Sequence, residues 1–514
     1  MKSNTTANHL SKETSILKYR QGGILLHPTC LPGMFGIGDL GSEFYHFIDF
    51  LHLSRQQLLQ ILPLGPTGYG NSPYQSFSAF AGNPLLISPE KLVDIGLLTS
   101  DEIIPPKLQS SRVDYEKVMP YKWNLLLLAF ENFSKKGLPE LRARFKTFTK
   151  EHHYWLEDYA LFMSIKEVHD LEAWNTWERP LKTRQASAIT SWKKKYKENI
   201  EFHKFTQFFF FHQWNEVRKY AHEKKVCIIG DIPIFVAYDS ADVWANSHLY
   251  YLDKHGELEY VAGVPPDYFS ETGQRWGNPI YHWDRMQKNG YKWWIQRLNH
   301  SFTLVDILRI DHFRGFEAYW RIPADEPTAI NGKWVQGPGI DLFITLKSAC
   351  GFLPIIAENL GIITPTVDEL LQQTGFPGMR VLQFAFGSEE EEGIENDYLP
   401  HNYIPNTVVY TGTHDNDTTL GWFLTAPKDV QREVLEYLNS DGEDIVGDLI
   451  RLAWSSVAKI SIIPLQDLLR LGSEGRMNLP GSESGNWEWR FTQDQLTEER
   501  SEKIAKLSKI YQRL

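Results

Sequence analysis

Eight short apolar runs, most of them separated by helical patterns, limit what this 514-residue chain can fold into. They are GILLH (23–27), LLQILPL (58–64), VCIIGD (226–231), LVDILRID (304–311), PIIAE (354–358), MRVLQFAF (379–386), NTVVYTGT (406–413) and ISIIPL (460–465). Each is close to continuously apolar, as expected of a parallel strand buried on both faces. Apolar residues recurring at helical spacing predict helices over 42–53, 208–223, 293–302, 341–349, 366–373, 429–438 and 445–457. This alternation predicts an α/β fold, a single (β/α)8 TIM barrel spanning 1–514.

Two connections are too long for plain barrel loops. Residues 65–225 hold further helical patterns at 123–133 and 155–169, so 68–205 reads as a mainly helical insertion after the second strand. Residues 236–303 read as an insertion after the third strand. Within it, LYYLDKHGELEYV alternates about His255-Gly256 as a hairpin does. The following stretch, GVPPDYFSETGQRWGNP (263–279), has neither strand nor helical period. It is either an ordinary surface loop or a cover that carries Tyr268 and Trp276 onto a substrate. Such βα loops lie on the C-terminal face of a barrel, where active sites form. Some 50 residues follow the eighth run, which leaves little room for a separate C-terminal domain.

Composition narrows the partners. Lys and Arg number 53 against 64 Asp and Glu, a net charge of −11. Such a chain is a poor match for nucleic acid or an anionic membrane surface. There is no apolar run long enough to span a bilayer. The first fifteen residues lack the apolar core of a secretory signal and are not Arg-rich like a transit peptide. Three scattered cysteines fit a reducing, cytoplasmic setting; a plastid setting applies if the source is a photosynthetic eukaryote. The acidic run at 388–392 reads as a solvated loop. Against this ordinary background, 17 Trp, 23 Tyr and 29 Phe are more flat rings than a core requires. Flat rings suit pyranose faces, which makes carbohydrate the first substrate class to consider.

The acids then become informative. Asp231, Asp311, Glu358 and Asp415 each fall at or just beyond the C-terminal end of an apolar run. One acid there could be a helix cap or a surface charge; acids at successive strand ends converge on one cleft, where crowding perturbs their pKa values. Arg309 and Asp311 are two apart on one strand and so share a face, with the guanidinium favouring an ionised carboxylate. The Asp311-His312 and His414-Asp415 pairs could ligate a metal, but no further ligands stand at helical or strand spacing. GIGDLG (36–41) imitates a dinucleotide fingerprint, yet lacks the immediately preceding strand and the later acid; a tight loop with Asp39 near a helix N-cap is the simpler reading.

At this point the sequence resembles a known family. LPLGPTGYGNSPYQSFSAFAGNP from Leu62, GVPPDYFSETGQRWGNP from Gly263, RIDHFRG from Arg309, AENLG from Ala357 and THDNDT from Thr413 are similar, in order, to signatures of the amylomaltase or disproportionating 4-α-glucanotransferases, relatives of the α-amylases. The likeness runs from about residue 22 to 490. It implies a barrel without the α-amylase C-terminal sandwich, retaining transfer between α-1,4-glucan donor and acceptor, and no cofactor or metal. It implies Asp311 as nucleophile, Glu358 as acid/base and Asp415 as third carboxylate. Asp231, Arg309, His312 and His414 would contact the transferred sugar. Tyr74 would stack near the cleavage point, Trp276 would lie on the acceptor side and Asn478 near the acceptor sugar. Tyr69 matches a residue of a secondary glucan site in some members, and Asn71 stands where many members carry Asp. A glucan hydrolase with the same site and a non-catalytic glucan binder are the rival readings. The Pro-rich 263–279 segment weighs against the first, and the complete carboxylate set against the second.

Overall fold

The computed structural model describes residues 19–136, 138–266, 270–361, 363–387, 396–482 and 484–514. Tyr268 of the 263–279 segment lies outside the described residues, as do the 388–392 acidic run and the N-terminal fifteen.

Twelve strands are present among the described residues: β1 (Gln21–Leu25), β2 (Leu58–Gln60), β3 (Cys227–Pro233), β4 (Tyr260–Val264), β5 (Gln274–Pro279), β6 (Ile307–Asp311), β7 (Ala318–Pro323), β8 (Lys333–Gln336), β9 (Ile355–Ala357), β10 (Gly378–Val381), β11 (Thr407–Tyr410) and β12 (Ile460–Pro464). Eight of them close a barrel in the order β1-β12-β11-β10-β9-β6-β3-β2. Its paired neighbours run parallel. These are the eight apolar runs, and every residue of β2, β9, β11 and β12 is buried. Continuous apolarity arises because one side of each strand fills the barrel and the other packs under helices. After β12 the described chain adds helices and irregular segments and no third sheet.

The connection from β2 to β3 carries the helices Tyr115–Lys135, Pro139–Glu151, His153–Val168, Ala186–Lys195 and Lys197–Glu223. Phe208, Phe209, Phe210 and Phe211 on the last of these are all buried. That helix also anchors the 68–83 loop after β2. Gln207 accepts from Gly82 N–H at 2.7 Å and donates to Gly82 C=O at 2.9 Å. A Cβ on Gly82 would come within 1.9 Å of the Phe210 ring, so only glycine permits this approach.

Beside the mouth stands an antiparallel sheet of order β5-β4-β7-β8. Here the structure departs from the sequence reading. The hairpin expected about His255-Gly256 is reduced to one bridge, Leu252 to Leu258. Tyr260–Val264 instead pairs with β5 and β7. The 263–279 segment, read as having no strand period, has its two ends in β4 and β5. Gly263, Gly277 and Pro279 hid the alternation; the last two lie on β5, an edge strand that tolerates them. No sequence signal pointed to β7 and β8, which follow the fourth barrel strand and add the sheet's remaining half.

At the N-terminal rim the barrel is closed by Arg513. Its guanidinium is fully buried and donates to the carbonyls of Gln21, Ala453, Trp454, Ser456, Ala458 and Lys459. These carbonyls belong to the starts of β1 and β12 and to the end of the helix Ile445–Ser455, so one side chain joins first strand to last. Arg513→Ala removes six hydrogen bonds at this seam, although Arg20 still donates to Trp454, Ser456 and Ala458, and is expected to cost roughly 1–3 kcal/mol. Urea unfolding will register this as a lower midpoint, while the specific activity of the folded fraction stays unchanged because the mouth lies at the opposite rim.

Candidate active site

Strand register brings the first charges together. β3 pairs with β6 so that Asp231 lies opposite Arg309. β6 pairs with β9 so that Ile310 lies opposite Ala357. One step on, Asp311 ends β6 beside Glu358, the residue after β9. Alternation then points Asp231, Arg309, Asp311 and Glu358 to the same, inner side. Arg309 Nη1 lies 2.6 Å from Asp231 Oδ2, and Nη2 lies 3.0 Å from Asp311 Oδ1. Its Nε donates to Met379 Sδ on β10 at 3.3 Å. Burial opposes the Arg309 cation, but the carboxylates of Asp231 and Asp311 outweigh it and hold its pKa well above the usual arginine value. The Asp311 side chain is 31 % exposed whereas that of Asp231 is sealed, so of the two it is Asp311 that faces the cleft. Asp231 is joined to Tyr74 and Arg309, a less direct placement than the sugar contact that the family resemblance implies.

Glu358 has the opposite environment to Asp311. It is buried, and burial followed by the nearby Asp311 charge pushes its pKa up to about 7. Arg309 and two backbone donors pull the other way. One donor is Leu360 N–H, 2.9 Å from Oε1. The other is His312 N–H, 2.7 Å from Oε2, where His312 adopts a left-handed φ of 53° directly after β6. A non-glycine residue in that region is uncommon, and here the turn aims its amide at the carboxyl. A carboxyl that keeps its proton near neutrality beside an arginine-paired carboxylate is the usual basis for assigning the first as acid. The His312 imidazole is itself buried, which lowers its pKa to about 4 and leaves it neutral. It meets the Trp276 indole edge-on, with centroids 4.8 Å apart.

The other wall is aromatic. Tyr74 donates its hydroxyl to Asp231 Oδ2 at 2.7 Å, and its ring stacks on His414 at 5.1 Å and 12°. Burial and the Asp231 charge raise the phenol's pKa well above its ordinary value, so it remains a donor. His414 Nε2 lies 3.4 Å from Asp415 Oδ2. Asn478 donates to Asp415 Oδ1 at 2.6 Å, and Arg476 donates to the Asp415 carbonyl at 2.9 Å. The turn bearing His414 and Asp415 is clamped at both ends by buried Asp467, which accepts from Thr411 Oγ1, Thr419 N–H and Thr419 Oγ1. Trp487 lies behind this wall, 6.0 Å from the rings of both Tyr74 and His414.

Asp231, Arg309, Asp311, His312, Glu358, His414, Asp415, Tyr74, Trp276 and Asn478 thus form one chain of contacts at the barrel mouth. Tyr69 does not join it; this ring sits on the surface, 74 % exposed. Sequence reasoning missed Met379, Asp467, Arg476 and Trp487. Arg476 stands in the EGRMNLPG segment, where the resemblance points to Asn478 alone, and Trp487 in GNWEW has no periodicity to separate it from core. Asp39 of the GIGDLG segment accepts from Gly41 N–H and pairs with buried Lys122, a structural anchor before the helix Ser42–Leu53.

Comparison with known proteins places this geometry. A family model described as 4-alpha-glucanotransferase, of glycoside hydrolase family 77, matches residues 26–496. A 4-alpha-glucanotransferase of Thermus thermophilus is 48 % identical over 503 residues, covering 96 % of this chain and 99 % of the relative. A chloroplastic/amyloplastic 4-alpha-glucanotransferase of Solanum tuberosum is 47 % identical over 480 residues, covering 92 % of this chain and 82 % of the relative. Among solved structures, the amylomaltase from Streptococcus agalactiae in complex with acarbose superposes with a TM-score of 0.92 at 40 % identity, over 96 % of this chain and 99 % of that one. With a family match over nearly its whole length and these identities, the chain belongs to the 4-alpha-glucanotransferase family.

Proposed function

We propose that this site moves a segment of an α-1,4-glucan from one chain to the 4-hydroxyl of another by double displacement with retention. The observation that carries the reading is the pairing of Glu358, raised to about 7, with an Arg309-bound Asp311 on the adjacent strand. Neighbouring strands lie ~4.8 Å apart. Carboxyls borne at matching positions on them suit the ~5–5.5 Å separation of retaining enzymes rather than the wider gap that admits a water.

In the first half-reaction Asp311 Oδ attacks the anomeric carbon while Glu358 gives its proton to the departing glycosidic oxygen. The leaving chain's new 4-hydroxyl holds that proton, and a glycosyl ester on Asp311 remains. In the second, Glu358 takes the proton from an acceptor 4-hydroxyl as that oxygen attacks, and Asp311 is released. Arg309 balances the Asp311 charge before and after. Asp415, held by Asn478 and facing solvent, accepts from sugar hydroxyls of the distorted transition state. Tyr74 and His414 form a flat donor-side wall, and neutral His312 donates to the sugar. Trp276, at the edge of the small sheet, supplies an acceptor-side platform, with the 236–303 segment as its mount. Bringing an acceptor hydroxyl into place favours transfer over attack by water. Tyr69 is a candidate for a second glucan contact outside the cleft. Three free cysteines support a reducing, cytoplasmic setting.

Incubation with maltotriose should give glucose together with maltopentaose and longer chains, at nearly constant total reducing ends, because each cut is matched by a join. A rise in reducing ends equal to the bonds cut would identify a hydrolase instead, and recovery of unchanged maltotriose a binder. The pH profile follows from Glu358. Only its protonated form can donate, so kcat/KM should fall as pH rises through about 7. With an activated donor whose leaving group needs no proton, that alkaline limb should disappear from the first half-reaction. Activity that stays level well past neutrality with maltotriose would remove Glu358 from the acid role.

A further inference from the structure

Trp487 is held in a backbone conformation that large side chains avoid. Its φ is +64°, in the left-handed region, and its side chain is buried. A bulky residue there persists only when its surroundings over-determine it, and such positions cluster at functional sites. The surroundings are visible. Trp487 N–H donates to Met477 C=O at 2.9 Å, and Tyr115 Oη donates to Trp487 C=O at 3.0 Å. On its C-terminal side, Glu488 C=O accepts from Val113 N–H, Trp489 bridges to Arg112, and Arg490 fastens to the carbonyls of Leu31, Gly33 and Gln109. The turn is therefore tied to the first insertion and to the loop after β1.

What the turn accomplishes is to lay an indole against two rings that are already stacked on each other. Trp487 lies 6.0 Å from Tyr74 at 45° and 6.0 Å from His414 at 38°. Tyr74 in turn orients Asp231, which holds Arg309, which holds Asp311. The same segment fixes the third carboxylate through Arg476 and Asn478. Neither Tyr74 nor His414 belongs to the same element as the other, so their stack needs a backing that joins the β2 loop to the β11 loop.

We propose that Trp487 is a positioning residue of the transfer reaction: its ring is the backing that keeps Tyr74 stacked on His414 and so keeps the donor-side wall in register with Asp311. The proposal rests on the glucanotransferase reading above, in which that wall meets the donor sugar. Displacements of about 1 Å at a reacting centre can cost ~100-fold in rate, so loss of the backing is expected to be felt strongly.

The ring and the backbone turn can be tested separately. Trp487→Gly accepts the left-handed φ without strain but removes the ring; Trp487→Phe keeps a ring and keeps the strain. Maltotriose disproportionation is measured per mole of folded protein for both, beside wild type, with melting temperatures recorded. The expected result is a kcat/KM loss of ~10–100-fold in Trp487→Gly, including a raised KM, with most of the loss recovered in Trp487→Phe. A smaller folded population lowers the maximal rate and leaves KM where it was, so a purely structural role cannot produce the KM rise. If Trp487→Gly fails to fold, Trp487→Leu, which fills space without a flat ring, takes its place with the same expectation. Equal kinetics in the ring-bearing and ringless variants, or an unaltered KM in the ringless one, would overturn the proposal. Absence of transfer in the wild-type control would instead defeat the functional reading beneath it.

Discussion

Arg309 carries a positive charge in the interior of a barrel, and the arrangement of the mouth follows from how that charge is met. Burying a guanidinium is tolerable only when acceptors surround it. Asp231 and Asp311 supply them at 2.6 and 3.0 Å, and Met379 takes the remaining Nε–H. The pairing is decided by register, since β3 sets Asp231 directly across from Arg309. It leaves Asp311 at the strand end with its charge balanced and part of its carboxylate open. Glu358, buried next to that carboxylate, keeps a proton near neutrality because burial, and then the Asp311 charge, outweigh the pull of Arg309. One cation thus pairs two of the carboxyls, one sealed and one accessible, while burial keeps the third protonated near neutrality.

From that centre the remaining groups are held by progressively longer reach. His312 contributes through a left-handed turn at the end of β6, and its neutral ring touches the Trp276 sheet. Tyr74 is placed by a loop whose base is pinned to a helix through Gly82 and Gln207. Asp415 depends on a turn clamped by Asp467 and on the C-terminal segment that supplies Arg476, Asn478 and Trp487. The barrel therefore positions the carboxyls to which the proposal assigns the chemistry, and segments distant in sequence position the wall that it turns to the sugar. Substitutions in the two groups should differ accordingly: the first act on bond making and breaking, and the second, Asp415 apart, on donor fit.

The barrel was legible because parallel strands buried on both faces must be apolar throughout, and the runs at 226–231, 304–311 and 406–413 leave no other simple use for themselves. The carboxylates were legible because each follows such a run. Roles within the set came mainly from resemblance to a family, since spacing alone cannot distinguish Asp231, sealed under Tyr74, from Asp311, open to the cleft. The small sheet was obscured: β4 and β5 are interrupted by Gly263, Gly277 and Pro279 and flank a Pro-containing loop, and β8 is four residues long and largely exposed. Trp487 was invisible for another reason. Its importance lies in a φ value and in two ring contacts with residues far away in sequence, and neither leaves a periodic trace.

The central claim is that Asp311 forms a covalent bond to the donor sugar while Glu358 manages the proton. Its most direct measurement is mass spectrometry of the Glu358→Gln protein after incubation with a glycosyl donor bearing an activated leaving group. Without its acid/base the enzyme can still form the ester but cannot readily activate an acceptor to resolve it. The account predicts a peptide containing Asp311 heavier by one transferred glycosyl unit, and no such peptide when Asp311→Asn is added. An adduct on Asp231 or Asp415, or release of the leaving group with no adduct and with inverted product, would contradict it.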